Sequence, residues 1–132
     1  MPSIGWSKNK YHACKLETPD GTFDSKKEYA FYLALKNRQK NGEISNLQRQ
    51  VKYVLIPAQY GPGEIVQRGA NKGKLKKGKL LERECSYYAD FVYVENGEVV
   101  VVDIKGMSKR LADYVIKRKL MLYVHKIKIV EV

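Results

Sequence analysis

The dipeptide Asn96-Gly97 stands between two runs rich in β-branched and aromatic residues, Cys85–Glu95 and Glu98–Lys105. No other stretch constrains the fold as strongly. Asn-Gly readily takes the two positive φ angles of a type I′ turn, whose twist matches that of paired strands. A two-residue turn here pairs Glu95 with Glu98, and counting outward sets Asp90 opposite Asp103. Cross-strand partners share a face, with Cβ atoms roughly 4.5–5.5 Å apart. Lys105 falls on the same face as Asp103, because side chains alternate with period two. Two carboxylates placed so closely repel each other unless positive charge lies between them. Val99–Val102 is an unbroken apolar run, as in a strand buried on both faces.

Two acids and a lysine converging at the end of an apolar hairpin have the make-up of a metal site built for hydrolysis. Carboxylate oxygens suit a hard cation such as Mg²⁺. Such an ion polarises a phosphoryl oxygen and acidifies a water, while Lys105 can orient that water or stabilise charge on the phosphate. The competing reading is an exposed strand end whose acids pair with nearby lysines.

The remaining pattern predicts an α/β fold with a mixed central sheet flanked by helices, ordered helix, three strands, helix, strand. A first helix is expected from Ser25 to Lys40, ending at Asn41-Gly42. Its apolar stripe would hold Phe31, Ala34 and Leu35, widened by Tyr29 and Leu33. Ser25-Lys-Lys-Glu28 fits a capping box, in which Glu28 reaches back to the Ser25 amide. Glu28 also lies three residues before Phe31 and seven before Leu35, on the face that meets the sheet. Capping and a role in the site are compatible. Leu47–Pro57 alternates as a strand. Residues 68–83 contain seven basic residues and three glycines and read as a flexible basic loop or the tip of a long hairpin. Ser108 can cap a second helix reaching Leu122, with Leu111, Tyr114, Val115 and Leu122 inward. Lys126–Val132 reads as the last strand.

At 132 residues the chain suits a single domain spanning 1–132, with a basic insertion at about 61–83. No apolar run approaches the roughly 18–20 residues needed to span a bilayer, and the N-terminus lacks the apolar core of a signal peptide. The expectation is an intracellular protein with no membrane partner. Cys14, Cys85, His12 and His125 form no zinc-ligand spacing. Lysine and arginine outnumber acids 25 to 14, a formal charge of +11 that favours a polyanionic partner such as nucleic acid. Lys72, Lys74, Lys76, Lys77 and Lys79 suit contacts with phosphates, as do Lys109, Arg110 and Lys117 near the second helix. A merely solvated basic face is the plainer alternative. The ten tyrosines could stack on bases, although a core role is the commoner one.

Glu28, Asp90 and Asp103-Ile104-Lys105, in this order, resemble the PD-(D/E)xK nuclease superfamily, whose restriction-endonuclease-like core has the order αβββαβ. More closely, the chain resembles a family of small phage and prophage proteins catalogued as a domain of unknown function. The stretches that carry this likeness are Lys10–Lys15, Gly21–Glu28, Gly42–Ile44, Leu47–Gln50, Tyr88–Tyr93, Val102–Gly106 and Lys117–Lys119. The resemblance implies that Glu28, Asp90 and Asp103 are metal-linked carboxylates and that Lys105 is the catalytic lysine. Gln50 and Lys117 follow as auxiliary or DNA contacts. Ala89 stands where the superfamily's name has proline. The implied activity is a Mg²⁺- or Mn²⁺-dependent DNA endonuclease. Similar phage nucleases resolve Holliday junctions as homodimers, which implies branched DNA, a role in recombination or DNA processing, and the cytoplasm of a bacterial host. Two rivals stand: a non-catalytic basic accessory protein that binds nucleic acid, and an RNA nuclease using the same residues.

Overall fold

The computed structural model describes residues 15–105 and 111–132. A short hairpin opens the described chain, β1 (Leu16–Thr18) pairing antiparallel with β2 (Gly21–Phe23). Helix α1 (Lys26–Lys40) follows, then β3 (Ser45–Ile56). Two small antiparallel ladders come next. One joins β4 (Gln59–Tyr60) to β7 (Leu80–Glu82), and the other, nested within it, joins β5 (Glu64–Ile65) to β6 (Leu75–Lys76). The chain continues as β8 (Cys85–Glu95), β9 (Glu98–Asp103), α2 (Ala112–His125) and β10 (Val130–Glu131). The central sheet has the order β10-β9-β8-β3. It is mixed, with β9 antiparallel to β8 and parallel to β10. The main elements therefore run α, β, β, β, α, β, as expected of this α/β class.

The hairpin at Asn96-Gly97 forms in the register its turn dictates. Both residues hold positive φ, 52° and 78°. The pairs Glu95↔Glu98, Val94↔Val99, Tyr93↔Val100, Val92↔Val101 and Phe91↔Val102 follow in step. One more step outward reaches Asp90 and Asp103, at the end of β9.

The chain divides into two compact units. The first comprises the described parts of Met1–Val51 and Ala89–Arg110, with Ile129–Val132. Its core joins Phe23, Leu35, Ile44, Phe91, Tyr93 and Val102, with Tyr29, Phe31, Tyr32, Val100 and Ile104 packed around them. Tyr32 rather than Ala34 completes the inner stripe of α1, and Leu33 and Ala34 face solvent. The spacing 28, 31, 32, 35 is the one a 3.6-residue repeat favours. Ser25 caps the helix as expected, its Oγ accepting from the Glu28 amide at 3.1 Å. The capping box is only half formed, however. Glu28 accepts from the Asp24 amide at 3.3 Å and not from that of Ser25.

The second unit is Lys52–Tyr88 with Leu111–Lys128. Within it Met121 is buried, and Tyr114 and His125 meet Tyr87 and Tyr53 at ring-centroid distances of 6.4 and 5.4 Å. Tyr114 and Val115 are part-buried as expected, but Leu111 and Leu122 are exposed, since the inner stripe is turned towards Tyr114, Met121 and His125. Leu111 occupies the N-cap and its side chain makes no capping bond. Ser108 lies outside the described residues, as do Cys14 and His12. Of the two readings of the basic segment, the long hairpin holds and the flexible loop does not: two nested ladders zip residues 59–82 together. The last strand is shorter than expected, because α2 ends at a left-handed Lys126 (φ 60°) and only Val130–Glu131 pair.

Candidate active site

Asp90 lies near the middle of β8, next to Phe91, which is fully buried in the core. Its carboxylate is held at both oxygens. Oδ2 accepts from the Ile104 amide at 2.8 Å, and Oδ1 accepts from Gln50 Nε2 at 3.3 Å. The first bond ties the acid to the strand that carries Asp103 and Lys105. Burial raises the pKa of Asp90, the Ile104 amide lowers it, and the Asp103 charge raises it again, with a net upward shift. Asp103 is thus close enough to be felt at Asp90.

Asp103 is 7% exposed, and Lys105 Nζ stands 2.8 Å from its Oδ1. The lysine accordingly engages one acid of the pair, supplying the positive charge that close carboxylates require.

Glu28, 3% exposed, joins from the first turn of α1. The Gln50 amide group reaches its Oε1 at 3.5 Å while also bonding Asp90, so a single side chain links the two acids. Burial raises the pKa of Glu28, with further upward pushes from Asp90 and Asp24. Bonding to the Asp24 amide and the nearby Arg49 charge act in the opposite direction. Gln50 itself sits inside a strand at φ 50°, a left-handed conformation that costs a non-glycine residue on the order of 1–3 kcal/mol. Local strain of this kind re-aims a strand side chain.

Backbone bonds brace the Asp103–Lys105 segment. Lys105 N donates to Val132 O at 2.8 Å, and Val132 N donates to Asp103 O at 3.0 Å. Lys27 Nζ donates to both Lys105 O (2.8 Å) and Val132 O (3.1 Å), lashing α1 to the same strand ends. Sequence reasoning missed Lys27, because its partners are backbone carbonyls 78 and 105 residues away, which no side-chain pattern signals. It also missed Arg49, whose guanidinium lies 3.6 Å from the Phe23 ring centroid and donates to Thr22 O at 2.8 Å.

Glu28, Gln50, Asp90, Asp103 and Lys105 therefore come together in the first unit. Lys72, Lys74, Lys76, Lys77 and Lys79 are all exposed on the β4–β7 excursion of the second unit, and Lys117 lies on α2 there. Lys109 and Arg110 lie outside the described residues. Among the described residues, no three Asp, Glu, His or Cys side chains form a ready ligand set for a metal ion. Mg²⁺ asks less of a protein: it keeps several waters and takes one or two carboxylates. Asp90 and Asp103, the charge of the second raising the pKa of the first, fit that requirement.

With this geometry in view, comparison with known proteins adds one match. Residues 8–130 match the family described as a protein of unknown function, DUF1064. The chain belongs to the DUF1064 family. No curated protein and no solved structure matches it. The match covers every stretch that carried the family likeness in the sequence, from Lys10–Lys15 to Lys117–Lys119. Among the described residues, no helix is long and apolar enough to cross a membrane.

Proposed function

We propose that this DUF1064 protein is a metal-dependent DNA endonuclease of the PD-(D/E)xK kind, acting on branched DNA in phage recombination or processing. The observation that carries this reading is the binding of Asp90 to the Ile104 amide, which sets one acid beside the Asp103–Lys105 pair. An incidental strand end has no need of a half-buried Asp90 beside a buried Asp103, with Asp90 sharing Gln50 with a buried glutamate. Asp90 and Asp103 would hold the cation, with Glu28 behind them through Gln50. When bound, Mg²⁺ or Mn²⁺ supplies Lewis-acid polarisation of a phosphoryl oxygen and acidifies a water. Lys105, paired with Asp103, would orient a nucleophilic water or stabilise charge on the phosphate. Gln50 holds the Asp90 and Glu28 carboxylates in register. The net charge of +11 supports a polyanionic substrate.

The test is incubation with linear, flapped and four-way DNAs, with Mg²⁺, with Mn²⁺ or with a chelator. Cleavage should need the metal. Asp103→Asn should reduce it about a hundred- to a thousandfold, on the scale of losing a group that acts in the transition state, while DNA binding persists. Unchanged cutting by the variant would reject the site. Binding without metal-dependent cutting would leave a non-catalytic accessory protein.

A further inference from the structure

Residues 59–82 form a braced arm within the second unit. Gly61 N donates to Lys79 O at 2.8 Å. Gly78 lies so close to the opposite strand that an added Cβ would stand 2.1 Å from Gly61 O. The Lys77 ammonium sits 3.8 Å from the centroid of the Tyr60 ring. Nearer the tip, β5 and β6 pair through Glu64↔Lys76 and Ile65↔Leu75, and Val66 continues the ladder by bonds to Lys74 O and from Gly73 N, each 2.9 Å.

The Ile65–Leu75 pair has no evident structural purpose. Cross-strand partners lie side by side on one face, yet Ile65 is 53% and Leu75 72% exposed. Turn regions ordinarily carry polar residues, and this apolar pair is surrounded in sequence by Arg68, Lys72, Lys74, Lys76 and Lys77. An ordinary protein-docking patch would not be fringed by so many lysines. A purely electrostatic phosphate grip would not need the two aliphatic side chains. Duplex DNA answers both features, since phosphates take the lysines and an unstacked base step takes an apolar wedge of the Leu or Ile type.

We propose that the β5–β6 tip is a wedge that recognises DNA with a disrupted base stack, Ile65 and Leu75 entering the step while Lys72, Lys74 and Lys76 grip the flanking phosphates. The choice of DNA as the polyanion rests on the nuclease reading; the wedge itself does not depend on catalysis. It makes substrate preference a property of the arm and independent of the acidic centre.

Binding is measured by fluorescence anisotropy in EDTA, comparing a fully paired duplex with the same duplex carrying a three-nucleotide bulge. A 2-aminopurine beside the bulge reports unstacking. Wild-type protein should prefer the bulged duplex and brighten the probe. Ile65→Ser with Leu75→Ser should lose at least about tenfold more affinity for the bulged than for the paired duplex, because only the disrupted step takes the apolar wedge, and should abolish the brightening. Leu75→Phe should retain both. Lys72→Gln, Lys74→Gln and Lys76→Gln together should weaken both DNAs and flatten the log K against log salt slope by about 2.7, or 0.9 per lost phosphate contact. No preference in the wild type, or a preference that survives the double serine variant, overturns the wedge. Absence of cleavage with Mn²⁺ while these binding results hold removes the nuclease reading alone.

Discussion

Replacing Asp90 with Asn should make the metal-free protein more stable at neutral pH, even though the substitution lies in the proposed catalytic centre. Burial and the Asp103 charge hold the Asp90 carboxyl above its ordinary range in the folded state. The folded chain therefore binds that proton more readily than the unfolded chain does. Stability must then fall as pH rises through the interval from the unfolded pKa, about 3.9, to the raised folded one. Two unit charges about 5 Å apart interact by about 3 kcal/mol at an effective dielectric of 20, and by about 1 kcal/mol in bulk water. Against this relief stands the exchange of a charge-assisted bond from Ile104 N for a neutral one, a loss of about 1 kcal/mol. The net gain at pH 7.5 is about 1 kcal/mol, or roughly 3–5 °C in Tm for a chain of this size. Thermal melts in EDTA between about pH 4 and pH 8 check it: the variant's advantage should grow with pH. Adding Mn²⁺ should reverse the order, because a cation at a hundred times its Kd stabilises the wild type by about 2.7 kcal/mol and the variant by much less. If Asp90→Asn is the less stable protein in EDTA at pH 7.5 by more than about 1 kcal/mol, the carboxylates do not repel each other as inferred.

The other predictions concern the framework and the chemistry. Ser25→Ala removes the cap on α1 and should cost about 1 kcal/mol in urea denaturation, loosening Glu28 at the same helix end. Leu35→Ala, at a site only 2% exposed, should cost about 2–5 kcal/mol by cavity formation; a loss below 1 kcal/mol would mean that the α1 packing is wrong. The loss of cleavage in Asp103→Asn, measured beside its retained DNA binding, tests the proposed reaction directly.

How far the chain could be read in advance depended on whether the controlling interactions were local. The turn at Asn96-Gly97 is set by two residues able to take positive φ, so the register of β8 and β9, and with it the juxtaposition of Asp90 and Asp103, was legible from residue order. Ser25 as the start of α1 was equally plain, because a cap bonds three residues ahead. Where composition had to stand in for contacts, reading was poorer. The basic segment could be read as a flexible loop or as a long hairpin tip, because glycine and lysine favour neither; two ladders and the Gly61–Gly78 approach make it the hairpin. On α2 the exposed Leu111 and Leu122 and the buried Met121 differ little in hydrophobicity, so the choice of inner stripe fell to Tyr87 and Tyr53 on distant strands.

Residue order alone thus determined the α/β class, the central hairpin and the acids at its end, since turn geometry and strand alternation act over a few residues. Only the tertiary structure decided that Gln50 would twist to a left-handed φ and link Glu28 to Asp90, and that Lys27 would clamp the ends of β9 and β10. Those contacts join groups 22 to 105 residues apart, and they form because buried carboxylates and carbonyls must find donors wherever the packed chain brings them.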